Sequence, residues 1–198
     1  MSSRWTIAPL RVPPIGTSRW VVRFGGSLLT RPGWPQDLLD LVGGLTGAVT
    51  IVVGGGPVVD GLRVIDGAEP MPAPVMHALA IEAMGLTGRL VAAATGFAIV
   101  GSPEAAPGAT VLDAPRWWAT SPLGSRLPAG WEVTSDSIAA TVALETASTL
   151  VLAKRIPPPL PDLDGLAAAG WVDPYLPTAA AGLAGILWAA PRAGPDRR

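Results

Sequence analysis

Two short apolar runs, WVVRF (20–24) and AVTIVV (48–53), each stop at a glycine cluster, GGS at 25–27 and GGG at 54–56. AVTIVV is nearly unbroken in its hydrophobicity, the pattern of a strand buried on both faces. After each glycine cluster the apolar spacing lengthens. PQDLLDLVGGL (35–45) and VVDGLRVID (58–66) place apolar residues at helical intervals. The stretch 74–95 is the longest helical signal in the chain, and FAIV (97–100) and TVLD (110–113) are short strand candidates. Residues 115–131, rich in Trp, Pro and Gly, read as a loop. TSDSIAATVALETAS (134–148) opens with residues suited to a helix N-terminus and continues with helix formers. TLVLA (149–153) and GILWAA (185–190) read as two further strands. Strands alternating with helices predict an α/β protein, a three-layer αβα sandwich around a largely parallel sheet. The predicted organisation is an N-terminal arm (1–18), one domain (19–190) and a disordered tail (191–198).

Composition narrows the chemistry. The chain has 198 residues, 49% of them hydrophobic and 15% charged, with a net charge of −1. One domain of this length buries about 70% of its unfolded surface. The balanced charge gives no basic stripe, so nucleic acid is not the expected partner. There is no cysteine, which excludes disulfides, thiolate nucleophiles and zinc–sulfur sites. A single histidine, His77, makes a multi-histidine metal centre or a serine–histidine triad a poor fit, and no metal ligands are assigned. Among the 14 basic residues only Lys154 is a lysine. The first residues lack the apolar core of a signal peptide. No uninterrupted apolar run reaches the roughly 18 residues of a membrane span. A cytoplasmic protein without membrane contact is the expectation.

Three junctions then stand out: GGS (25–27), GGG (54–56) and TSDS (134–137). In a parallel sheet such strand-to-helix junctions lie at the carboxyl edge, where ligands bind. Glycine lets backbone N–H groups approach an anion, and helix N-termini add positive potential. Two such loops on adjacent strands would hold neighbouring phosphates. The common nucleotide motifs do not fit. No lysine follows a glycine, as a P-loop requires, and Val59 stands where a dinucleotide fingerprint starting at Gly54 needs glycine.

VVRFGGSLL, IVVGGGPVVD, HALAIEAM, WEVTSDSIAA, TLVLAK and WVDPYLP occur in an order that resembles the amino acid kinase superfamily. The resemblance covers most of residues 20–190. It is nearest to the archaeal-type aspartokinase- and uridylate-kinase-related branch, which includes the aminomethylfuran-methanol phosphate kinase of methanofuran biosynthesis. It implies an ATP- and Mg²⁺-dependent phosphotransferase that moves the γ-phosphoryl group onto a phosphomonoester and makes a diphosphate, in one-carbon metabolism. It implies a small-molecule partner and a homo-oligomer of dimer size or larger. Trp117 and Trp118 are read as an interface anchor or, equally, as core residues.

By the same resemblance Gly25, Gly26 and Ser27 approach the ATP phosphates, with Ser135 and Ser137 as further phosphate ligands or helix caps. Gly54, Gly55, Gly56, Asp60, His77 and Trp131 face the acceptor. Asp60 is equally a solvent-facing residue, His77 a satisfied core histidine and Trp131 a packing residue. Arg23 stands where family members carry a catalytic lysine; it keeps the charge and adds a fork for two phosphate oxygens. Asp136 matches the carboxylate that organises the catalytic cations, a role compatible with helix capping, and Lys154 matches a catalytic position near the nucleotide or, equally, is a lysine reaching solvent from the end of its strand. The chain departs from the family after this strand. RIPPPLPDLDG replaces a turn that carries Asp-Gly, and 155–198 contains no lysine, so the nucleotide-side segment is shortened. Two other readings stay open: a non-catalytic ligand-binding or assembly subunit of this fold, and a kinase acting on a carboxylate.

Overall fold

The computed structural model describes residues 4–103 and 108–192. In chain order the elements are β1 (Trp5–Arg11), β2 (Arg19–Phe24), a 3-10 turn (Gly26–Thr30), α1 (Trp34–Gly43), β3 (Ala48–Val53), α2 (Gly56–Ala68) and α3 (Ala73–Thr95). They continue with β4 (Ala98–Val100), β5 (Gly108–Leu112), α4 (Ala114–Thr120), a 3-10 turn (Gly124–Arg126), α5 (Ser135–Glu145), β6 (Thr149–Ala153), α6 (Leu163–Ala168), α7 (Leu176–Ala179) and β7 (Ile186–Pro191). The strands form one sheet in the order β1-β7-β6-β2-β3-β5-β4. All neighbours are parallel except β1 and β7. Helices cover both faces, which is the predicted αβα sandwich.

Residue alternation decides what each face receives. Val22 and Phe24 of β2, Ile51 and Val53 of β3, and Val151 and Ala153 of β6 pack with Leu38, Leu41 and Val42 of α1. The residues between them, Val21, Val52, Leu150 and Leu152, pack instead with Ile138, Ala139, Val142 and Ala143 of α5. Arg23 shares its parity with Val21, and Lys154 with Leu152. The period of two therefore carries both cations to the α5 face of the sheet. Alanines at 139, 140 and 143 are fully buried, and their small size lets α5 lie close against the central strands.

The structure differs from the sequence expectation at several places. The stretch read as an arm contributes β1, which closes the sheet beside β7 through pairs such as Trp5 with Pro191. Pro191, the first residue of the expected tail, is the last of β7, and residues 193–198 lie outside the described residues. The Trp-rich stretch read as a loop contains α4, capped by Asp113, whose carboxylate accepts from the Arg116 N–H. Of the two readings of Trp117, the core one holds: it is buried and donates its indole N–H to Glu145 at 2.7 Å. Among the described residues α3 alone is long and apolar enough to cross a membrane, but 56% of its most apolar window is buried against the rest of the fold.

Candidate functional site

β2 and β3 run in register to Phe24 and Val53, so their glycine clusters emerge side by side at the carboxyl edge of the sheet. The two loops interlock backbone to backbone. A Cβ on Gly26 would overlap the backbone of Gly56, and one on Gly54 would stand 2.8 Å from the Gly26 nitrogen. Gly56 itself has φ +53°, a region that side chains disfavour. The loops are tied to the sheet by Gly25 N–H on the Ala153 carbonyl (3.1 Å) and Gly54 N–H on the Phe24 carbonyl (2.9 Å). The first-turn amides of α2 have no intrahelical acceptor, and the loop that opens this helix lines a cleft. An anion is the natural occupant of such a place.

Arg23 lies beneath both loops. Its Nη1 would be 2.7 Å from a Cβ on Gly25 and its Nη2 3.4 Å from one on Gly54. Nη2 and Nε donate to Ser135 Oγ at 2.9 and 3.2 Å. Nε also approaches Asp136 Oδ1 at 2.7 Å, an ion contact rather than a hydrogen bond because the N–H is spent on Ser135. The other oxygen of Asp136 accepts from Lys154 Nζ at 2.8 Å and from the Asp173 N–H at 3.3 Å. One carboxylate, 2% exposed, thus sits between the two cations. Burial pushes the Asp136 carboxyl up, but the Arg23 and Lys154 charges and its hydrogen bonds hold it below the ordinary value. Burial pushes the Lys154 ammonium down, the Arg23 charge adds to this, and Asp136 offsets only part, leaving it at about 8.

Asp173 completes the cluster from the loop before α7. It accepts from the N–H and hydroxyl of Thr134 (2.9 and 2.8 Å) and from the N–H and hydroxyl of Ser137 (3.0 and 2.5 Å). A carboxylate at a helix N-terminus is favourable, and this one caps α5 from outside its own chain segment. Its carboxyl is nevertheless raised, by burial first and by the neighbouring Asp136 charge second. Sequence reading assigned Asp173 no role. Its only signal was its place inside WVDPYLP.

The cleft extends from the loops toward α2 and α3. It is lined by Arg23, Gly26, Ser27, Gly54, Gly55, Gly56, Asp60, His77, Trp131 and Ser135, with Val59, Ile81, Met84 and Ile138 as apolar walls. Its volume of about 190 Å³ suits a small molecule better than a whole nucleoside triphosphate. Ser137 is fully buried against Asp173, away from the cleft, and Lys154 lies behind Asp136, its Nζ also donating to the Trp171 carbonyl at 3.0 Å. Gly25 holds the loop from the strand side. Trp131 is pinned by α2: its indole N–H donates to Asp66 at 2.7 Å, and the Arg63 guanidinium lies 5.0 Å over its ring, held by Asp60 at 2.9 Å. An aromatic occupant stacking on Trp131 therefore shares it with Arg63. Nothing in the sequence reading singled out Arg63, although its spacing of three from Asp60 and Asp66 puts all three on one helix face. Met71 N–H and then Trp131 hold the Asp66 carboxyl below its ordinary value.

The fit for Mg²⁺ is one-sided. Among the described residues no group of three or more His, Asp or Glu side chains is placed to hold a metal ion. Asp136, the buried carboxylate nearest the loops, is already engaged by two cations.

Interlocked glycine loops at the carboxyl edge of a largely parallel sheet, with helices on both faces, are the architecture of an amino acid kinase-like α/β fold. Solved structures share it. The uridylate kinase of Archaeoglobus fulgidus superposes with a TM-score of 0.50 at 16% identity, covering 69% of this chain and 63% of that one. The UMP kinase of Ureaplasma parvum gives 0.50 and 16%, covering 72% and 69%. The chain thus spans about two thirds of the length of these neighbours. No protein-family model matches the sequence, and no curated protein matches it.

Proposed function

We propose that the protein is an ATP-dependent small-molecule phosphotransferase whose acceptor is a phosphomonoester. The observation that carries this is the pair of interlocked glycine loops with the Arg23 guanidinium beneath them. Phosphoryl transfer depends on positioning and on neutralising charge spread over the transferred group. Backbone N–H groups and one fixed cation supply both. An acceptor oxygen attacks the γ-phosphorus, the bond to the β–γ bridging oxygen breaks, and ADP leaves with that electron pair. A phosphomonoester oxygen is already anionic, so the attack needs no general base. This agrees with a loop region lined by glycine, serine and arginine, with Asp60 at the rim. The fold of the uridylate kinases supports the reading as an analogy of architecture. The methanofuran-type acceptor, aminomethylfuran-methanol phosphate, stands on the sequence resemblance alone.

Phosphorus NMR with ATP, Mg²⁺ and a panel of phosphomonoesters, the furan phosphate included, tests the proposal. Acceptor-dependent ADP and a new diphosphate are expected. One observation favours a second reading, a binding subunit without turnover: Lys154 is tied behind Asp136 and lines no part of the cleft. Binding of a phosphomonoester without any transfer would establish it.

A further inference from the structure

His77 is 5% exposed and lines the cleft beside Gly130, whose neighbour Trp131 meets α2 at Arg63 and Asp66, roughly two to three turns beyond the glycine loop that opens that helix. Its Nδ1 lies 3.1 Å from the Gly130 carbonyl oxygen. A carbonyl only accepts, so Nδ1 carries the proton and a neutral ring keeps its lone pair on Nε2. The ring also packs against Trp118 at a tilt of 53°, with centroids 4.8 Å apart. The imidazole is therefore fixed in plane and in tautomer. Nε2 is buried and has no hydrogen-bond partner among the described residues. Buried polar atoms are rarely left so, because an unpaired acceptor forfeits its hydration without return. The cleft that His77 lines has apolar walls at Ile81, Met84, Val133 and Ile138, and none of the donors that share the cleft reaches Nε2.

We propose that His77 is a specificity-determining residue: Nε2 accepts a hydrogen bond from a hydroxyl or amino group on the end of the acceptor remote from its phosphate. This rests on the phosphomonoester reading of the same cleft and deepens it. The acceptor class becomes a short phosphomonoester with an apolar body between Met84 and Trp131 and one N–H or O–H donor at its far end. The phosphate end is read by the loops and Arg23. The far end is read by the His77 Nε2, and a molecule lacking the donor leaves that nitrogen unpaired.

The only histidine in the chain is its own reporter. The test uses the full-length protein and three probes: 4-methylbenzyl, 4-(hydroxymethyl)benzyl and 4-(aminomethyl)benzyl phosphate. Long-range ¹H–¹⁵N correlation of the histidine ring is expected to show the Nδ1–H tautomer in the free protein. It is expected to show an upfield Nε2 shift with the two donor probes and none with the methyl probe. Calorimetry is expected to give about tenfold tighter binding for at least one donor probe over the methyl probe. That preference should vanish in His77→Phe and persist in His77→Gln, which retains an acceptor oxygen. An Nε2–H tautomer in the free protein, equal binding of all three probes with an unmoved Nε2 signal, or no binding of any probe overturns the proposal. Donor-selective binding with the histidine signature but no phosphoryl transfer would leave this inference standing and refute turnover alone.

Discussion

Replacing Asp136 by asparagine removes one negative charge from between two cations at almost unchanged volume. In the native protein Oδ1 faces Arg23 at 2.7 Å and Oδ2 faces Lys154 at 2.8 Å, with all three side chains largely buried. The substituted amide can still accept from one of them, but its N–H₂ group then meets a second donor. Leaving a buried charge uncompensated costs roughly 3–5 kcal/mol, a large part of the 5–15 kcal/mol total typical of a domain. Lys154 has an escape that Arg23 lacks, because it titrates at about 8 and loses its charge readily. Its folded value lies below the ordinary 10.5, so between about 8 and 10.5 the unfolded chain holds a proton that the folded one has shed. Over that window this group's contribution to stability rises with pH. Asp136→Asn lowers the folded value further and extends the window downward. Each unit of that lowering adds about 1.4 kcal/mol to the variant's deficit once the pH is below both folded values. The deficit should therefore be largest near pH 6 and smaller above pH 8, with a remainder due to Arg23. Urea unfolding of both proteins at pH 6, 7.5 and 9 measures it, and ¹³C-lysine labelling reads the single lysine directly. A deficit under about 1 kcal/mol, or one that is independent of pH, would refute the claim that Asp136 holds the two charges in place.

Arg23→Ala is expected to stay folded, since Lys154 still pairs Asp136, and to lower kcat roughly 10²–10³-fold, the usual effect of deleting one transition-state donor. Steady-state ADP release checks it, and Arg23→Lys should fall between the two because it keeps the charge but loses the fork. Phosphoryl transfer should decline as pH rises through about 8, where Lys154 loses its proton. Lys154→Arg should remove that limb of the pH–rate profile. Gly26→Ala forces the interlocked loops apart, because its methyl group overlaps the Gly56 backbone. A stability loss of roughly 1–3 kcal/mol by thermal shift, together with loss of pyrophosphate binding by calorimetry, is expected.

Most of this site was legible because it hangs on local rules. An apolar run ending in glycines fixes a strand, a loop and the start of a helix, and β2, β3 and β6 fall where the pattern places them. Parity along β2 and β6 even foretells that Arg23 and Lys154 face the same helix. Other features depend on contacts between distant segments, which no window of sequence contains. β1 is recognisable only through β7, its antiparallel partner at the other end of the chain. Trp117 reads equally as a surface or a core aromatic until Glu145 supplies the acceptor for its N–H. Asp173 reads as a loop residue, and becomes a helix cap only when α7 is folded against α5.

That last contact changes the chemistry assigned to TSDS. Read alone, the stretch offers a helix N-terminus and four hydroxyl or carboxyl groups to a phosphate. In the folded protein Asp173 takes the Thr134 and Ser137 N–H groups together with both hydroxyls, so the positive end of α5 is already neutralised. What α5 presents to the cleft is Ser135, which accepts from Arg23, and the apolar Ile138. The α5 terminus thus acts as a holder of the Asp136–Arg23–Lys154 cluster, and anion binding falls to the two glycine loops and one guanidinium. Asp173→Asn separates the two roles. It should weaken the cap and lower the stability of α5 by about 1 kcal/mol, while Lys154, relieved of a nearby negative charge, titrates lower. If instead a phosphate binds on the α5 terminus, Asp173→Asn should tighten pyrophosphate binding by removing a competing anion. Unchanged or weaker binding is the outcome that the geometry requires.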